Sequence, residues 1–316
     1  MIVPVPWDAT TSYRAGTSRG PGAIRIASHQ LDLHDPQLGD AWRAGIAMLP
    51  FPEDIAAWNA VARADAERVI EVGGRIAGDR ELEAALARVN AASAKLDAHV
   101  YDEVAALVAR GKLVGVLGGD HSVPFGAMRA HAEREPGAIG VLHVDAHADL
   151  REAYEGFARS HASIMYNVLH ELPIAKLVQV GIRDFASAEA TLAANDRRVV
   201  QFRDDQLAEA ALDGVPWRQT CERIARELPA QVYVSFDIDG LDPSLCPNTG
   251  TPVPGGLSFQ QAALLLRHVV EAGKQIVGFD LNEVAPGRDG DDWDANVGAR
   301  VLYKLCGWAL RSQPVR

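Results

Sequence analysis

The sequence predicts a single α/β domain over residues 1–316, built on a mostly parallel central sheet flanked by helices. Two observations carry this. From about residue 113, short runs rich in Val, Ile and Leu alternate with longer runs of helical periodicity, the pattern of βαβ units. No internal repeat, low-complexity tract or linker-like stretch divides the 316 residues, a length at which large α/β domains still fold as one unit.

Residues 1–6 read as a short first strand, and residues 7–21 as a polar, Gly-containing loop. Pro21 opens a short helix, where its missing N–H costs little. Residues 35–55 carry no clear period. From about 56 to 110 the chain is Ala-rich and helical, with breaks near Gly73-Gly74 and Gly78-Asp79. The alternation follows: strand Leu113–Leu117, helix near 123–133, strand Ile139–Val144, helix near 161–170, strand Leu177–Gly181 and helix near 186–194. It continues with the short strand Val199–Gln201, helix near 217–228, strand Gln231–Phe236, helix near 258–273, strand Gln275–Phe279 and helix near 294–311. In the last helix, Val301, Leu302, Leu305 and Trp308 read as core or subunit contact.

Composition narrows the class. Hydrophobic residues make up 48% and charged residues 23%, an ordinary globular balance. No apolar run is long enough to span a bilayer. The N-terminus lacks the basic segment and long apolar core of a secretory signal. Cys221, Cys246 and Cys306 are scattered without CxxC spacing, which suggests reduced thiols and a cytoplasmic protein. The net charge of −11 disfavours nucleic acid and attracts cations.

Four polar clusters follow predicted strands: Gly118-Gly-Asp-His121-Ser122, Asp145-Ala-His147-Ala-Asp149, Asp237-Ile-Asp239 and Asp280-Leu-Asn-Glu283. Parallel sheets bind ligands at the carboxyl ends of their strands, so clusters distant in sequence should converge. Gly118–Ser122 alone reads equally as a tight turn capped by its Asp, and Asp237/Asp239 as a turn cap before Leu241-Asp-Pro. Asp145-Ala-His147-Ala-Asp149 favours metal, because carboxylates this close repel unless a cation intervenes. His121, Asp145, His147, Asp149, Asp237 and Asp239 together are too many donors for one tetrahedral zinc. They suit two oxygen-preferring ions, with manganese favoured and Ni2+ or Zn2+ possible. Two such ions sharing a water would make hydroxide available at neutral pH. His143, inside its strand, reads as a hydrogen-bonded core histidine.

These motifs, in this order, resemble those of the ureohydrolases, the arginase–agmatinase family. Ser235-Phe-Asp-Ile-Asp-Gly-Leu-Asp-Pro243, the 8–25 segment and Thr249-Gly-Thr-Pro-Val-Pro-Gly-Gly-Leu257 also resemble family segments, so the likeness covers nearly the whole chain. The resemblance implies a three-layer arginase-like fold, a homo-oligomer (trimer or hexamer) and two Mn2+ per subunit. His121, Asp145, Asp149 and Asp237 would hold one ion. Asp145, His147, Asp237 and Asp239 would hold the other, with Asp145 and Asp237 bridging. Glu283 would pair with a substrate guanidinium, whose planar N–H fork matches a carboxylate. Asp149 and His161 would handle the proton that ends on the leaving nitrogen.

The loop Leu150–Ser160 lacks the Asn by which arginases read an α-amino acid. Tyr154 and Phe157 would offer an apolar wall instead, which suits agmatine, cleaved to urea and putrescine. Arg151 or Arg159 could receive the carboxylate of guanidinobutyrate or guanidinopropionate, or both could be solvated. Glu155 reads as a solvated loop carboxylate, and so does the acidic run Asp289–Asp294, which could also steer cations. Ala162-Ser163 departs from the Gly that follows this His in many agmatinases and changes the pocket floor. Competing readings are an arginase, a formimino-compound hydrolase and a non-catalytic scaffold.

Overall fold

The computed structural model describes residues 1–287 and 290–314. The chain begins with β1 (Ile2–Val5), α1 (Gly20–Ala27), α2 (Glu53–Ile70) and α3 (Arg80–Ala109). It continues through β2 (Val114–Gly118), α4 (Phe125–Ala132), β3 (Ile139–Val144), α5 (Ile164–Glu171) and β4 (Lys176–Val180). Then come α6 (Ser187–Asn195), β5 (Val199–Phe202), α7 (Asp204–Leu212), α8 (Trp217–Glu227) and β6 (Gln231–Asp237). The last elements are α9 (Phe259–Glu271), β7 (Gln275–Asn282) and α10 (Trp293–Arg311).

Seven strands form one sheet in the order β1-β2-β7-β6-β3-β4-β5, and every pairing is parallel. Successive side chains along a strand point to opposite faces, so each strand feeds two cores. Leu142, Val144, Val232, Val234 and Phe236 pack against α1, α8, α9 and α10. Ile139, Val141, Leu177 and Tyr233 pack with α3, α4 and α5 on the other face. That is the expected three-layer α/β architecture. A satellite cluster joins α2 to α3 through Ala66, Val69, Ala85 and Val89.

Local chemistry sets several boundaries. Asp79 caps α3 by accepting from the N–H groups of Glu81 and Leu82. Ser258 and Gln261 form a reciprocal capping box at the start of α9. The sequence reading missed α7, none of whose residues is fully buried and which touches the core through the partly buried Leu207, too narrow a contact to read as a stripe. β6 and β7 run further than expected, because the ladder pairs Asp237 with Asn282. The Asp237 and Asp280 carboxylates are therefore part of the sheet itself. No helix among the described residues is long and apolar enough to cross a membrane.

The topology creates the site. β2 and β3 are successive in sequence, yet β7 and β6 lie between them. The carboxyl ends of these four central strands carry the four polar clusters. Two glycines permit the close packing there. A Cβ at Gly119 would meet the Trp7 carbonyl, and one at Gly240 would meet the backbone of Asp145.

Candidate metal centre

At the end of β2, Asp120 fulfils the turn reading: its Oδ1 accepts from the backbone N–H of Ser122 at 3.0 Å and from its hydroxyl at 2.5 Å. That turn aims His121 inward. His121 Nδ1 lies 2.9 Å from Asp145 Oδ2, 3.2 Å from Asp149 Oδ2 and 3.2 Å from Asp237 Oδ2. His147 Nδ1 lies 3.1 Å from Asp239 Oδ2 and 3.4 Å from Asp145 Oδ1. Asp145 thus turns one oxygen toward each histidine, so it could serve an ion held on either side.

The surroundings hold these donors in place. Ser235 Oγ donates to Asp280 Oδ1 at 3.0 Å, so its lone pair receives His121 Nε2–H at 2.9 Å. This leaves the Nδ1 lone pair of His121 free for a ligand position. Asp239 Oδ1 accepts from the N–H of Ala146, and Asp237 Oδ1 from that of Asp239. Asp149 and Glu283 adopt left-handed backbone (φ 54° and 62°), a conformation that costs about 1–3 kcal/mol and concentrates at functional sites.

The electrostatics call for positive charge. Burial, and then the Asp145 charge, push Asp149 up to about 7. Burial, followed by Asp239 and Asp145, drives Asp237 well above the usual carboxylate range. Burial opposes a charged imidazole, yet the neighbouring carboxylates hold His121 and His147 well above the normal histidine range. A pocket that lifts Asp149 and Asp237 and draws protons onto His121 and His147 is one that a cation would stabilise. The donor set therefore fits two divalent ions, one near His121 and one near His147, in two groups that share Asp145.

Glu283 is buried, held by its Oε1, which accepts the His121 N–H at 2.9 Å. Its N–H reaches Gly119 O, and Thr249 Oγ1 donates to its carbonyl. Among the described residues its Oε2, beside Gly250, is buried without a hydrogen-bond partner. Burial, then Asp120, raises its carboxyl well above normal. Among the described residues that buried carboxylate oxygen has no cationic partner.

A cleft of about 140 Å3 opens beside the His147 end of this centre, lined by His147, Asp149, Arg151, Tyr154, His161 and Ala162, with Glu283 behind its lining. The Tyr154 and His161 rings meet edge to face at 6.1 Å. Burial, followed by His147 and His121, lowers His161 to about 3. The structure thus gathers most of the residues the sequence pointed to.

It corrects others. Phe157 is no wall of the cleft: it is fully buried in the satellite cluster with Ala66, Val69, Ala85 and Val89. Arg159 is neither solvated nor in the cleft. It is paired with Asp97 and Glu171 and lies over the Phe125 ring. Glu155 is half-buried, its backbone against Gly74. Asp294 of the acidic run is buried and accepts from the Asn248 backbone and side chain, whereas Asp289 lies outside the described residues.

Sequence reasoning missed four lining residues, Ser12, Asp184, Glu189 and Thr251. Asp184 follows the carboxyl end of β4, and the rule that found the other clusters could have found it. Arg151 stacks on Tyr154 and lies 3.5 Å from Glu189.

Comparison with known proteins agrees with this geometry. The description "Arginase family" matches residues 1–307. The chain is 32% identical to the N(1)-aminopropylagmatine ureohydrolase of Synechocystis sp., over 99% of this chain and 90% of that one. It is 33% identical to the agmatinase of Cronobacter sakazakii, over 96% and 85% respectively. The agmatine ureohydrolase structure of Thermoplasma volcanium superposes with a TM-score of 0.72 at 25% identity, covering 98% of this chain and 89% of that one.

Proposed function

The chain belongs to the arginase family of ureohydrolases, and from that premise we propose that it hydrolyses the guanidino group of a cationic, carboxylate-free compound of the agmatine type, releasing urea and an amine. The observation that carries the choice of substrate is the charge balance at the cleft mouth. Arg151, the cation there, faces Glu189 and stacks on Tyr154. Asp184 forms no ion pair among the described residues and faces the same cleft. A substrate whose far end is an ammonium finds a partner in Asp184, and one ending in a carboxylate meets repulsion.

Two manganese ions bound between His121 and His147 would supply a hydroxide nucleophile at neutral pH and charge stabilisation. The chain's own residues do the rest. Glu283 Oε2 pairs with the guanidinium and sets its carbon over the Asp145–Asp149 segment. Asp149 takes up the proton of the nucleophile. His161, which lines the same cleft, would carry that proton on to the leaving nitrogen. Tyr154 walls one side of the substrate chain.

Urea release from agmatine, N(1)-aminopropylagmatine, guanidinobutyrate and arginine, after loading with Mn2+, Ni2+ or Zn2+ in parallel, tests this. Preference for either amine supports it, and preference for guanidinobutyrate or arginine sinks it. The same reading carries assembly as a trimer or hexamer, which light scattering measures.

A further inference from the structure

We propose that Gln179 is a positioning residue of the metal centre. It acts through His143, fixing that imidazole in one tautomer so that it donates to the bridging carboxylate of Asp145. The inference rests on the two-ion reading above. It concerns residues that are not ligands in that reading.

The argument begins with strand register. Gln201 of β5 pairs with Gln179 of β4, and Gln179 pairs with His143 of β3. Cross-strand partners point to the same face, so three polar side chains form a row perpendicular to the strands. Gln179 and His143 are fully buried in that row.

Each proton in the row is then fixed by the one before it. The Gln179 Nε2 group lies 2.7 Å from the Ala148 carbonyl, an acceptor only, so this end of the amide is the NH2. The other end agrees, because Gln179 Oε1 accepts from Gln201 Nε2 at 2.9 Å. The second N–H of Gln179 points at His143 Nδ1, 2.9 Å away, which must therefore be the bare nitrogen. His143 then carries its proton on Nε2 and donates it to Asp145 Oδ2 at 2.7 Å.

Two consequences follow. His143 lies among His121, Asp145 and Asp149, close enough to be counted as a ligand. A protonated Nε2 cannot ligate, so this histidine stays outside the coordination sphere. Asp145 Oδ2 also gains a fixed donor on one lone pair, which orients its other lone pair toward the His121 side. If Gln179 were lost, His143 could take the other tautomer, and its bare Nε2 would face the carboxylate.

The test is Mn2+ titration into the chelator-stripped protein, with Gln179→Met and Gln201→Met beside the parent. Gln179→Met should weaken manganese binding by about 10–100-fold, the usual effect of removing such an outer partner. Gln201→Met, which spares both Gln179 donor bonds, should weaken it less. Circular dichroism and urea unfolding verify that the variants fold. Independently, 15N spectra of histidine-labelled, zinc-loaded parent protein should show His143 protonated on Nε2 alone. Parent-like manganese affinity in a folded Gln179→Met, or a proton on His143 Nδ1 in the parent, overturns the proposal. A parent that binds no divalent ion at all overturns the two-ion reading and this inference with it. An unchanged substrate preference touches neither, because no arm of the test uses substrate.

Discussion

His121 and Asp145 meet at 2.9 Å although two strands of the sheet separate the strands that deliver them. β2 and β3 bracket β7 and β6, so the pair closes over the ends of the central strands, where Asp149 Oδ2 and Asp237 Oδ2 each lie 3.2 Å from His121 Nδ1. This places a third carboxyl beside the same imidazole nitrogen. Without a cation the arrangement is self-repelling.

That repulsion has a measurable sign. Asp237 is driven well above its ordinary range by burial, then by Asp239 and Asp145. In the presence of chelator, Asp237→Asn should therefore resist urea at least as well as the parent. With Mn2+ at 100 times its dissociation constant, the parent should gain about 2.7 kcal/mol per site. The variant, short of a ligand, should gain much less, so the order of stabilities reverses. A variant less stable than the parent even in chelator would show that Asp237 is not under strain.

Asp184 supplies a second prediction. Asp184→Asn should raise KM for agmatine by about 1.5–5-fold, the range for a partly exposed ion pair, and leave kcat largely intact. Guanidinobutyrate should be helped or unaffected by the same change. Equal effects on both substrates would remove Asp184 from substrate recognition.

His131 gives a pH dependence independent of metal. It is buried near Tyr233, and desolvation, then Arg134, lowers it to about 4 from the usual 6.5. The folded state therefore prefers the neutral imidazole. Stability from this group is complete above pH 6.5 and is lost as pH falls toward 4, because the unfolded chain binds the proton first. The loss amounts to about 3 kcal/mol. Comparing urea midpoints of parent and His131→Gln at pH 7 and pH 4.5, both in chelator, reads it directly. The variant should lose less on acidification, and equal losses would contradict the assignment.

The convergence of strand ends was legible in the sequence because it depends on order and register, both of which local patterns encode. His121, Asp145, His147, Asp149, Asp237 and Asp239 share a site because each follows or ends a parallel strand. The roles of Phe157 and Arg159 were not legible. Both sit in the loop behind Asp149, where no periodicity tells which side chains face substrate. The packing of α2 on α3 fixes Phe157 in a separate core, and Asp97 of α3 with Glu171 of α5 holds Arg159. Asp184, a lone acid just past the carboxyl end of β4, was within reach of the same strand-end rule, whereas Glu189 sits inside α6 and only the third dimension puts it at the cleft.

Phe157 and Tyr154 separate these two outcomes experimentally. They lie three residues apart, joined by reciprocal backbone hydrogen bonds of 3.2 and 2.9 Å. Phe157 is fully buried among Ala66, Val69, Ala85 and Val89, so Phe157→Ala leaves a cavity between α2 and α3. It should cost about 3–5 kcal/mol of stability, visible as a lower urea midpoint. Tyr154 lines the cleft and is stacked by Arg151 from one side, so Tyr154→Ala removes little buried packing. It should shift KM for agmatine by several-fold with a stability change of less than about 1 kcal/mol. If Phe157→Ala instead altered KM with unchanged stability, its ring would belong to the substrate wall. The reverse result for Tyr154, stability lost and KM kept, would remove the tyrosine from that wall.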